Sequence, residues 1–258
     1  MWSRRIVVLI AGCLIAASCA GTEPASEVPA GDTTTTDSVA PVSTTTGSSS
    51  STSAPDMTTT PTTSTTTTMP GMAVDGPPSG TVWSVVGVAH DDTLNVRSQP
   101  GVDSPIVGVL EPTEDAVTAD GGARLVGSTI WWSVVVDALE GWASSSYLAM
   151  SGSTSDVTSA VTEANTGQRP SAESLDELAA EVARLRGADE MVVVVAPSEG
   201  TTTGEVVIDA FMFGDDSVRG ERILVAGQRS DGDTVWGLYT AEATTLCWRG
   251  VDANSLCV

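Results

Sequence analysis

The chain has 258 residues, enough for one or two domains, and a formal net charge of −22, with arginine at every Lys/Arg position. Nine acids stand against two arginines in residues 81–150, and eighteen against seven in residues 151–258. Acidity on this scale in both regions repels phosphates, which argues against a nucleic-acid partner held by charge and leaves solubility as its plain meaning.

The N-terminus reads as a targeting segment. "MWSRR" is a short basic start, and "IVVLIAGCLIAA" is an apolar run of about a dozen residues, right for a signal core and too short to span a bilayer. Small residues and a cysteine follow in "AASCAGTE". This resembles the lipobox of bacterial lipoproteins, where cleavage precedes a cysteine that carries the lipid. Cys13, in "LIAGC", has the closer local match but leaves only about six apolar residues before it. Cys19 has a full apolar core before it and a polar segment beyond, so residues 1–19 are expected as the signal and Cys19 as the lipidation site. An ordinary secretory signal cleaved near Ala20 is the alternative. In either case the mature protein lies outside the cytoplasm, at the membrane through a lipid or secreted if the lipobox is not used.

Residues 20–79 are expected to be a disordered tether. Seventeen threonines, eight serines and four prolines fall within residues 31–70, without an aromatic residue to offset the entropy of ordering. A flexible coil of this length spans on the order of 40 Å, and its Ser/Thr-Pro composition suits O-glycosylation.

From about Gly80 the pattern changes to short β-prone segments separated by turns: "TVWSVVGV", "TLNV", "PIVGVL", "AVTAD", "ARLVG", "STIWWSVVVD" and "WASSSYL". Strands at this spacing without a helix predict a small barrel over residues 80–150. "LNVRSQPG", "PIVGVL", "WWSVVV" and "GWASSSYL" occur in the order found in the bacterial SH3-like domain, and residues 81–150 resemble that family. Gln99 stands where the family usually has glycine, and Ala143 where it has valine. The resemblance implies binding of cell-wall peptide or glycopeptide, or of a protein.

Alternation places Leu94 and Val96 inward and Asn95 outward, with Arg97 free to bond loop carbonyls and Pro100-Gly101 suited to a type II turn. Only one of Trp131 and Trp132 can face the core, so the other lies on the outer face or under a loop. The ligand candidates are Trp131, Trp132, Trp142, Tyr147, Asn95, Arg97 and Gln99, with Trp142 and Tyr147 also readable as core and corner residues.

Residues 151–168 read as a polar linker. Residues 169–258 then predict an α+β domain. "RPSAESLDELAAEVARLRG" is one helix, capped at Ser171, with an apolar stripe of Leu175, Leu178, Ala179, Val182 and Leu185 and a stop at Gly187. "EMVVVVA", "GEVVIDAFMF", "RGERILVAGQ" and "TVWGLYTA" are strands with hairpin-length links, so the helix packs on a mostly antiparallel sheet. Cys247 and Cys257, in an oxidising compartment, are expected to form a disulfide contributing about 3 kcal/mol. The rival is a metal site, but two thiolates alone do not fill a zinc shell. "GDDS" and "SDGD" fit hairpin turns better than cation loops.

No catalytic residues, cofactor or metal are assigned. A Ser-His-Asp or Cys-His site would have to use His90, the sole histidine, and nothing resembles a phosphate loop. The expected function is a lipid-anchored, non-enzymatic envelope protein. Its barrel binds wall material or an envelope protein. The alternatives are a wall hydrolase targeted by the barrel, or a sensory or interaction lipoprotein.

Overall fold

The computed structural model describes residues 68–212 and 214–258. The signal segment, Cys13, Cys19 and the tether up to residue 67 lie outside the described residues. The expected end of the tether does not. Met72–Ala73 form a strand, β1, paired with Leu125 and Arg124, and Val74 N–H donates to Ala123 O at 3.2 Å. The order begins before Gly80 because an existing strand offers its free backbone edge, which composition does not reveal.

Seven strands follow: β2 (Val82–Val85), β3 (Leu94–Arg97), β4 (Ile106–Leu110), β5 (Val117–Val126), β6 (Thr129–Val136), β7 (Leu139–Ser144) and β8 (Leu148–Asp156), with a 3₁₀ turn at Ser145–Tyr147 before β8. All their pairings are antiparallel. They curl around one core, since Trp83, Val85, Leu94, Val96, Leu110, Val117, Val134, Ala143 and Leu148 meet in a single cluster. The Gly-Gly at 121–122, expected to separate two strands, instead kinks one strand. The register of β5 shifts between Ala119 and Ala123, and Gly121 sits at φ 90°, a conformation glycine adopts without steric cost.

The largest difference from expectation is at residues 151–168. They are not a linker. Residues 148–156 are the single strand β8. Its first residues pair with β2 (Ser84 opposite Ala149), and its later residues pair with the last long strand, β13 (Trp236–Cys247), up to Asp156 opposite Glu242. "SGSTSD" is too polar to read as a strand. Its ladder comes from the partner strand, and Thr154 and Thr244 exchange a side-chain hydrogen bond at 2.7 Å. Helix α1 (Thr158–Ala164) follows, where Asp156 accepts from Thr158 N–H at 2.8 Å. Hydrogen bonds from the Thr158 side chain and backbone hold the Asp156 carboxyl below its usual range.

Beyond α1 come β9 (Ser171–Ala172), α2 (Leu175–Leu185), β10 (Glu190–Glu199), β11 (Thr203–Phe211), β12 (Val218–Gln228) and β13. The cap of α2 is Ser174, not Ser171. Its hydroxyl accepts from Glu177 N–H, while Glu177 accepts from Glu173 N–H, each at 3.2 Å. Pairing with β13 draws Ser171–Ala172 into an extended conformation, which delays the helix start. Gly187 ends the helix at φ 83°. The expected apolar stripe is buried against β11, β12 and β13, with α1 supplying Val161. The fold class is thus mostly antiparallel sheet with two α-helices among the described residues, where one was expected.

The strands run as one path, β10-β11-β12-β13-β8-β2-β5-β6-β7-β3-β4. The barrel packs at the sheet face opposite the helices. A small apolar cluster of Val86, Ala149, Phe211 and Leu246, joined by Val192, seals this seam with residues from both sides. Asp209, fully buried, accepts from Arg222 at 2.7 and 2.9 Å and from Gly87 N–H at 2.8 Å. Arg222 also donates to Val85 O and Pro112 O at 2.8 and 3.2 Å. The described residues all fall within one compact unit. Cys247 and Cys257 are joined by a disulfide. "GDDS" is turn chemistry: Asp215 accepts from Val218 N–H and from the backbone and hydroxyl of Ser217, which draws its pKa down to about 2.

Candidate ligand-binding groove

A groove of about 590 Å³ runs along the seam between barrel and sheet. Its builders are the outward residues of β3, the loop after β2, the outer face of β6 and the 3₁₀ turn. On β3 the alternation holds as expected. Leu94 and Val96 are buried in the core, while Asn95 and Arg97 line the groove. Arg97 donates through Nη1 to Ser104 O at 2.7 Å, which ties the "RSQPGVDS" loop back on itself. Gly101 in that loop has φ 117°, accessible to glycine and costly for other residues.

The paired tryptophans separate by alternation. Trp132 points inward with Val134 and Val136 and packs on Trp83, ring centroids 4.6 Å apart and tilted by 59°. Trp131 points outward, yet it is only 4% exposed because it forms the floor of the groove beside Ser144 and Tyr147. Among the described residues its indole N–H makes no hydrogen bond, and since no fully buried side-chain polar atom among them lacks a partner, this N–H is not fully buried. Tyr147, at the corner, is 42% exposed and forms the rim.

The structure therefore brings together Asn95, Arg97, Trp131 and Tyr147. It leaves out Gln99, Trp132 and Trp142. Trp142 is half-buried on the outer face of β7, opposite Ser133, and its ring tip lies where a side chain at Gly122 would sit, 3.4 Å from that Cβ position. It is neither a core residue nor part of the groove. The far wall came from an unexpected source. Val192 of β10 lines the groove, and His90 N–H donates to Val193 O at 2.9 Å, so the loop carrying the only histidine is pinned to the C-terminal sheet. Nothing in the local pattern of "EMVVVVA" marks it as a wall of a site whose other residues lie between Gly87 and Tyr147.

The groove offers an apolar floor, an aromatic rim, the Trp131 indole, the Asn95 amide, the Arg97 guanidinium, the Asp92 carboxylate and several hydroxyls. That set can hold an extended polar chain by stacking and a few directed hydrogen bonds. Among the described residues no three His, Cys, Asp or Glu side chains converge as a metal site would, and no helix is long and apolar enough to cross a membrane. Residues 92–149 match the family model of the bacterial SH3 domain, which covers the strands from β3 to the start of β8. No curated protein and no solved structure matches the chain.

Proposed function

We propose, from the bacterial SH3 domain at residues 92–149, that this chain is a lipid-anchored, non-enzymatic envelope protein that binds cell-wall peptide in the groove at its seam. The match to the bacterial SH3 domain supports a cell-wall or protein-binding module. The observation that carries the reading is the Trp131 indole, its N–H unpaired among the described residues, lining the groove with Tyr147 and Asn95. The basic start, apolar core and Cys19 supply the anchor, and the Thr/Ser-rich segment supplies reach through a wall.

Retention of the full chain on purified peptidoglycan tests this. Tyr147→Ala removes an exposed ring and is expected to lower retention between about twofold and tenfold, the range of an aromatic contact. Trp131→Phe keeps the floor and removes the N–H, with a loss of similar size from one hydrogen bond. Wild-type protein that is folded and not retained, or both variants retained like wild type, would defeat the proposal.

A second reading rests on β4. This edge strand exposes Ile106, Val107 and Val109 to 52, 46 and 48%, and its outer backbone edge is unpaired among the described residues. Such an edge suits a protein that adds a strand. Val109→Lys separates the readings, because it blunts this edge and leaves retention through the groove unchanged.

A further inference from the structure

The groove continues past Tyr147. A second hollow of about 250 Å³ shares Gly87, Ser146, Tyr147 and Val192 with it, and Phe211, Arg219 and Trp248 line it together with one acid, Glu190. Arg219 is only 7% exposed. Its guanidinium lies between two rings, 5.1 Å from the centre of Phe211 and 4.4 Å from that of Trp248. It donates through Nη1 to Leu148 O at 3.2 Å and through Nη2 to Ser146 O. These two bonds leave other N–H donors of the five unused.

The two other partly sunken arginines with acid partners are satisfied differently. Arg186 meets Glu221 at 2.5 and 2.9 Å, and Arg222 meets Asp209 at 2.7 and 2.9 Å, each through two nitrogens. Among the described residues Arg219 has no such pair. Burial lowers its pKa to about 10, against the opposing pull of Asp209 and Tyr147, so it stays charged at neutral pH. Its direct hydrogen bonds go to neutral carbonyls, and the charge of Asp209 offsets its burial only in part, since the net shift is still downward. An anion in the hollow would offset the rest. The rings lie against the guanidinium, and a two-oxygen acceptor would draw on the N–H groups that the two carbonyls leave unused.

We propose that Arg219, framed by Trp248 and Phe211, is a carboxylate-binding subsite, and that it takes the free C-terminal carboxylate of a peptide whose chain lies along Tyr147 and Trp131. The path of the peptide rests on the groove reading above; the carboxylate subsite stands on Arg219 itself. A ligand engaging both would bridge the barrel and the C-terminal sheet, which gives the second half of the chain a direct part in recognition.

The test is titration of the full chain with N-acetyl-triglycine and with its C-terminal amide, followed through the indole N–H signals. The acid is expected to bind about tenfold tighter than the amide, the effect of one charge-assisted pair. Arg219→Gln should abolish that preference. If Arg219→Gln does not fold, Trp248→Ala alters only a half-exposed ring and should narrow the preference severalfold. Equal affinity for acid and amide, no binding of either, or an unchanged preference in the folded variants overturns the subsite. Wall retention of the same preparation reads the groove separately. Retention without acid preference overturns the subsite alone, and acid preference without retention overturns the wall reading alone.

Discussion

Asp209→Ala is expected to destabilise the protein by about 3–5 kcal/mol, because it strands a partly buried guanidinium whose partner is gone. Asp209 is 0% exposed and receives both nitrogens of Arg222 and the Gly87 N–H. Arg222 in turn holds Val85 O and Pro112 O of the barrel. The loss therefore falls on the seam rather than on one half. Urea unfolding read by both near-ultraviolet and far-ultraviolet signals should show a single transition in the wild type, moved to lower urea in the variant. Two separated transitions in the wild type, or a variant within about 1 kcal/mol of it, would contradict this role. Since Gly87 lines the groove, the variant should also bind wall material less well.

Trp236→Ala should cost a similar amount, about 3–5 kcal/mol, by leaving a cavity at the centre of the helix–sheet core. Trp236 is 1% exposed, and Arg229 lies over its ring at 4.1 Å. Two strand glycines make its room. A side chain at Gly204 would begin 2.6 Å from Leu175 and 3.2 Å from Trp236, and one at Gly227 would meet the same two residues at the same distances. These glycines trade strand stability for a slot that Leu175 and Trp236 fill, so the core cannot readily collapse when the indole is removed. Thermal or urea denaturation measures the loss. A variant within about 1 kcal/mol of wild type would mean the slot closes without cost.

What could be read from sequence was whatever is local and periodic. The β3 alternation, the inward-outward split of Trp131 and Trp132, the α2 stripe, the four C-terminal strands and the Cys247–Cys257 pair all follow from spacing of two or 3.6 residues or from compartment. What could not be read depends on pairing between distant segments. "SGSTSD" is a strand only because β13 lies beside it, and Met72–Ala73 only because β5 does. The same limit applied at the site. Asn95, Arg97, Trp131 and Tyr147 are legible as candidates because the motifs that carry them follow one another in the order of a single family domain. Val192, Arg219 and Trp248 are not, because their role depends on β8 joining the two halves. Trp248, beside Cys247, was the available hint, but it gains meaning only once it stands against Arg219 and the barrel.

The most direct measurement of where the ligand sits is chemical-shift mapping of the full chain with solubilised wall fragments. The expected result is change at the Trp131 indole N–H and at the backbone of Asn95, Tyr147 and Val192, from both sides of the seam at once. Changes confined to Ile106–Leu110 or to the Trp142 face, with the seam silent, would contradict it.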